Sequence, residues 1–168
     1  GMHLWRALSG VSALVLWFYA ISGLPLATAM TLNYMSSVWM ALFLIGGAIL
    51  AGGSRVDPRL VATVLAGFGG VALVLRPTLG AGQLWFGLLG LISGVLSAMA
   101  YLQVTALGRV GEPETRVVFY FSIGGTLAGG TLALLTGGFS AHSLRGALLL
   151  LAVGGLASSA QLLMTRAY

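Results

Sequence analysis

The sequence predicts an all-α protein, a polytopic transmembrane bundle of about six helices, and three observations predict it. Only 7% of the 168 residues are charged and 58% are hydrophobic, whereas a soluble domain carries about 25% charged residues. The mean hydropathy is +1.02, so the chain cannot supply a polar shell and needs lipid as its solvent. Six apolar runs recur, each close to the roughly 20 residues that cross a bilayer.

The runs predict α1 over about Leu4–Ile21, α2 over about Leu26–Leu50, α3 over about Leu60–Leu75, α4 over about Leu84–Leu107, α5 over about Val117–Leu135 and α6 over about Leu144–Tyr168. The first run is long and aromatic, and five comparable runs follow it. It reads as a permanent helix rather than a signal peptide. Ser22-Gly23-Leu24-Pro25 joins α1 to α2 with turn chemistry. The other connections, Gly52 to Pro58, Pro77 to Gly82, Arg109 to Glu114 and Gly137 to Ser143, are also short. Short loops make sequential helices antiparallel and leave no room for an extramembrane domain. Residues 1–168 therefore read as one transmembrane domain.

The net charge is +5, from eight arginines against three acids, with no lysine. The arginines stand singly at the ends of apolar runs, which excludes a nucleic-acid stripe and suits a topology signal. With the N-terminus in the cytoplasm, Arg6, Arg55, Arg59, Arg109, Arg116 and Arg166 all fall inside, and only Arg76 and Arg145 fall outside. The inward bias predicts cytoplasmic termini, and the expected location is a bacterial inner (plasma) membrane. No charge falls mid-run, which argues against a proton relay built on a buried carboxylate.

Catalytic and metal chemistry is not expected. There is no cysteine, hence no disulfide, zinc–thiolate site or thiol nucleophile. His3 is expected at a frayed terminus and His142 in an outer loop, on opposite sides, so they share no metal. No Ser-His-Asp set, HExxH or P-loop is present. The sequence predicts no enzyme and no cofactor.

What remains are small residues and uncharged polar groups inside helices. Gly90, Gly94 and Ala98 on α4, Gly125 and Gly129 on α5, Ala66 and Gly70 on α3, and Gly155 and Ser159 on α6 have the spacing that lets backbones approach closely. Close packing and sliding or bending faces are both compatible with it. On α2, Asn33 and Ser37 lie four apart on one face, beside Tyr34, Ser36 and Trp39. An unpaired amide in hydrocarbon is costly, so this face needs an interhelical bond or a wet cavity. Trp17 and Tyr19 suit an interfacial aromatic belt. Tyr101 and Gln103 on α4, Tyr120 on α5, and Gln161 on α6 are similar uncharged groups. A cavity lined by Trp17, Asn33, Tyr34, Ser37, Tyr101, Tyr120 and Gln161 would orient a mostly apolar or zwitterionic small molecule.

A weak internal echo aligns the end of α1 with the end of α6, placing Ala20 over Ala167. The two helices run in opposite directions in the predicted topology, which suggests an inverted repeat of the kind transporters use. Over nearly its whole length the chain resembles the EamA-type drug/metabolite transporters. The residues that carry the resemblance are Trp17-Phe18-Tyr19-Ala20 with Leu24-Pro25-Leu26-Ala27 and Ala29, Leu32-Asn33-Tyr34-Met35-Ser36-Ser37-Val38-Trp39, Leu65-Ala66-Gly67-Phe68-Gly69-Gly70-Val71 with Leu75-Arg76-Pro77, Phe119-Tyr120-Phe121-Ser122, and Gln161-Leu162-Leu163-Met164-Thr165-Arg166-Ala167-Tyr168. The resemblance implies a ten-helix protein of two five-helix inverted repeats, of which α1–α6 look like the third to the eighth helix. It implies alternating access, with small organic metabolites or drugs bound at midplane. The chain would then be part of a longer protein, a naturally short copy being the alternative. The expected partners are the lipid bilayer, a small-molecule substrate, and either the flanking helices or a second copy. Two positions depart from the family pattern. Ser37 stands where proline is frequent, and Gly52-Gly53 where a Gly-Glu pair is frequent, so a helix kink and an acid are absent there.

Overall fold

A computed structural model describes residues 1–52, 57–75, 78, 80–138 and 141–167, with the backbone alone at 74 and 75. Arg55, Arg76, Pro77, Gly53 and Tyr168, to which the sequence reading gave topological or motif roles, lie outside the described residues. The elements are α1 (Met2–Gly23), α2 (Leu26–Leu50), α3 (Pro58–Leu75), α4 (Leu84–Arg109), α5 (Glu114–Leu135) and α6 (Leu144–Ala167). Among the described residues there is no strand. Five of the helices are long and apolar enough to cross a membrane. α3, with 18 residues, reaches about 27 Å at about 1.5 Å per residue, slightly short of a bilayer core of about 30 Å. The chain is an integral membrane protein of helical-bundle type.

The helix ends differ from the sequence expectation mainly where the first turn is polar, because apolarity does not mark such a turn. α5 begins at Glu114 rather than Val117, behind Pro113 in extended conformation (φ −62°, ψ 136°), and α3 begins at Pro58. Proline suits the first helical position, where no amide hydrogen is needed. α4 ends in a Schellman motif at Gly111 (φ 77°), where the Gly111 amide donates to the Gly108 carbonyl at 3.0 Å and the Glu112 amide to the Leu107 carbonyl at 3.1 Å. The left-handed φ favours glycine, and the motif sets Glu112 immediately beyond the helix.

The contacts divide the chain into two compact units, Gly1–Val11 with Gln103–Tyr168, and Ser12–Leu102. α1 and α4 each contribute to both. In the unit Ser12–Leu102, Ala20, Leu24 and Ala29 form a small core with Ile21, Leu32 and Phe86 around it. α4 lies close on α2, and the Ser93 hydroxyl donates to the Ala13 carbonyl of α1 at 2.7 Å. The Thr28 hydroxyl donates to the Thr78 carbonyl at 2.7 Å and accepts the Thr78 amide hydrogen at 2.8 Å. This places the start of α2 beside the chain leaving α3, so the two helices are antiparallel.

In the other unit the core is Val104, Leu107 and Val117. Arg166 near the end of α6 pairs with Glu114 at the start of α5, Nε to Oε1 3.8 Å, so α5 and α6 are antiparallel as well. Large side chains such as Leu50, Leu73, Leu151 and Leu156 point outward. In lipid this exposure carries no penalty, and the packing relies instead on small residues.

Candidate functional site

A cleft of about 270 Å³ opens between α2 and α3, lined by Tyr34, Ser37 and Val38 on one side and Thr63, Val64, Gly67, Phe68 and Val71 on the other. The spacings of three and four put each set on one helical face. A side chain at Gly67 would point into open space, so the glycine widens the cleft. Thr63 donates its hydroxyl hydrogen to its own helix, at the Arg59 and Leu60 carbonyls (2.8 and 2.9 Å). Tyr34 and Ser37 make no hydrogen bond among the described residues. The cleft therefore presents two free hydroxyl groups on an apolar, uncharged wall, which suits an uncharged ligand, since an ion there would lie unpaired.

The structure thus brings together two of the residues the sequence marked, Tyr34 and Ser37. Asn33 is partly buried but does not line the cleft, being turned about 100° from Tyr34 around the helix. Trp17 is partly buried, its ring 5.3 Å from that of Phe18. Its Nε1, like that of Trp39, is sealed from solvent and has no hydrogen-bond partner among the described residues. Tyr101 is partly buried on α4.

Tyr120 and Gln161 belong to the other unit, where they join residues to which the sequence reading gave no part in the site. Arg6 is 3% exposed. Its Nη2 donates to Gln161 Oε1 at 3.4 Å, and its Cζ lies 4.5 Å above the Phe121 ring. One turn further on, the Ser9 hydroxyl is 2.8 Å from the Trp5 carbonyl and 3.2 Å from Gln103 Oε1. Thr165 donates to the Gln161 carbonyl at 2.7 Å. His3 stacks on Tyr120 at 4.8 Å and sits 3.4 Å from Glu112, which also holds Arg116 at 3.0 Å.

Two sequence expectations are corrected here. Arg6 is a buried helix-packing cation and not only a topology marker, and His3 is held in α1 rather than frayed. The signal for Arg6 was the glycine one turn on. A Cβ at Gly10 would collide with Arg6 Nη1, so a larger residue there would have to displace the guanidinium from this position. Among the described residues no group of three His, Cys, Asp or Glu could hold a metal ion.

No protein-family profile matches the chain, and no solved structure matches it. Among characterised proteins, it is 30% identical over 168 residues, 99% of its length, to the pseudopaline exporter of Pseudomonas aeruginosa, of which it covers 57%. It is 30% identical over 166 residues to the riboflavin transporter of Rhizobium johnstonii, of which it covers 53%. The chain is a distant relative of membrane transporters. It spans little more than half the length of these relatives.

Both relatives align with nearly the entire chain, so the alignment runs through both units. Sequence reasoning found the mid-helix polar groups because an amide or hydroxyl is conspicuous in an apolar run. It missed Gln103 and Ser9 as a pair because their partnership spans 94 residues of chain.

Proposed function

We propose that this chain is the core of an EamA-type drug/metabolite transporter that moves small organic molecules across the bacterial inner membrane by alternating access, with both termini cytoplasmic. The observation that carries this reading is the alignment of 99% of the chain with two transporters named for different small cargoes. The uncharged cleft at Tyr34 and Ser37 supports it, because such a surface selects by shape and a few hydrogen bonds. Trp17, Asn33, Tyr34, Ser37, Tyr101, Tyr120 and Gln161 are the proposed substrate contacts. α1–α6 are proposed to be the third to the eighth helix of ten.

The test is flux in proteoliposomes, with riboflavin and a panel of labelled amino acids and nucleosides as probes. Flux of one probe above that of protein-free vesicles, lowered in Asn33→Leu with membrane insertion intact, is expected. Flux equal to wild type in both Asn33→Leu and Gln161→Leu overturns the cavity assignment.

The alternative is a non-transporting assembly or anchor subunit. The specific observation in its favour is α6, whose span is exposed from Leu148 through Ala160, with Gly154 and Gly155 open. No flux with any probe, together with a stoichiometric protein partner on purification, is the result that favours it.

A further inference from the structure

The cleft between α2 and α3 lies wholly within the unit Ser12–Leu102, and its two walls differ. The α2 wall carries the hydroxyls of Tyr34 and Ser37, one turn apart on one helical face. The α3 wall is Val64, Gly67, Phe68 and Val71, with Thr63 at one end. Ser37 and Gly67 both stand near the middle of their helices, at a depth where hydrocarbon offers no hydrogen bond. A hydroxyl inside a helix can bond back to a carbonyl one turn earlier, as Thr31 does to Ala27 and Thr63 to Arg59. Ser37 makes no such bond among the described residues. Its hydroxyl and that of Tyr34 are left to whatever enters the cleft.

The space is limited. The cleft holds about 270 Å³. A cavity of about 150 Å³ takes up benzene, and drug-sized ligands occupy about 300–1,000 Å³, so a body of one or two rings fits. Gly67 sets that limit. A Cβ built there meets nothing within 4 Å, so a side chain at this position would grow into the cleft and not against a neighbour. Gly69 is equally open, but it is turned about 200° from Gly67 around the helix and does not line the cleft.

We infer that Gly67 is the size-determining residue of a site for uncharged amphiphiles of one or two rings. The polar edge of such a molecule meets Tyr34 and Ser37, and its apolar face lies on Phe68 and the valines of α3. A hydroxyl both donates and accepts, so the polar edge can be a hydroxyl, an amide or a carbonyl. The ligand is neutral because no charged residue lines the cleft, Arg59 standing a turn beyond Thr63, and an ionised group there would lie unpaired. A lipid acyl chain would cover the α3 wall and leave both hydroxyls unmet, which is why the occupant carries polar atoms. This deepens the transporter reading and rests on it for the reason such a molecule is bound.

The test uses the chain in phosphatidylcholine nanodiscs and three matched radiolabelled two-ring probes, 2-naphthol, naphthalene and 2-naphthoate. Saturable binding above that of empty nanodiscs is read by equilibrium dialysis at neutral pH. 2-Naphthol is expected to bind at least tenfold tighter than the other two. Gly67→Leu is expected to weaken it at least tenfold and Gly69→Leu to leave it unchanged. Gly67→Ala, which also favours the helix, should weaken it by a smaller factor and serves if leucine disturbs insertion. Tyr34→Phe with Ser37→Ala should bring 2-naphthol down to the naphthalene value. No saturable 2-naphthol binding overturns the proposal, as does binding that neither Gly67 variant changes. Naphthalene bound as tightly as 2-naphthol overturns it too, since the cleft would then be only a seat for hydrocarbon. If binding fails, flux of the labelled panel in proteoliposomes leaves the transporter reading standing without this site. If binding holds and no probe crosses, the site stands and transport falls.

Discussion

At the residue scale, Arg6 and Gln161 decide how the unit Gly1–Val11 with Gln103–Tyr168 is held. Read as a cavity residue, Gln161 would tolerate leucine without loss of stability. The structure has its Oε1 accept from a buried guanidinium, and removing an acceptor from a buried charge typically costs about 1–3 kcal/mol. Gln161→Leu is therefore expected to lower the thermal midpoint in detergent as well as the flux. An unchanged midpoint would show that the bond contributes nothing. Arg6→Ala also removes packing over Phe121, and a loss of about 2–4 kcal/mol is expected in denaturant unfolding, in line with other disrupted buried networks.

At the scale of elements, the two GxxxG motifs look alike in sequence and differ in structure. A Cβ at Gly94 would lie 2.9 Å from the Leu32 carbonyl oxygen, a backbone atom that no rotamer change can move, whereas Gly125 and Gly129 on α5 have nothing within 4 Å. Gly94→Ala should push α4 from α2 and destabilise by about 1–3 kcal/mol. Gly129→Ala should be neutral or stabilising by up to about 1 kcal/mol, from helix propensity. Equal midpoints for the two variants in a thermal melt would contradict this difference. A second element-level device is Thr28, whose hydroxyl both donates to and accepts from Thr78. Thr28→Val keeps the shape and loses both bonds. Faster proteolysis of the α3–α4 connection in the variant is the expected readout, and unchanged cleavage would remove the latch role.

At the scale of the whole molecule, the question is orientation. Arg116 pairs with Glu112 and Arg166 with Glu114, so the α4–α5 connection and the end of α6 gather charge at one end of their unit. Positively charged ends stay in the cytoplasm. Because the chain has no cysteine, single-cysteine variants report position directly. Thr115→Cys, at an exposed site in the first turn of α5, should resist an impermeant maleimide in intact cells. Ser143→Cys, exposed before α6, should react. The reverse pattern would invert the topology.

The polar groups within α2, Asn33, Tyr34 and Ser37, were legible in the sequence because hydrocarbon makes any amide or hydroxyl conspicuous. So were all six helices, their approximate ends and the membrane itself, because backbone hydrogen bonding and apolar run length are local quantities that a bilayer reads directly. Which groups are satisfied was not legible. That Gln161 answers Arg6, that Ser37 opens on a cleft while Asn33 does not, and that Gly94 is packed while Gly129 is open depend on contacts between helices far apart in the chain. In lipid the apolar surface is equally content against a neighbouring helix or a lipid tail, so hydropathy does not choose the partners. Close approach of backbones and pairing of a few polar atoms make that choice, and those are properties of the tertiary structure alone.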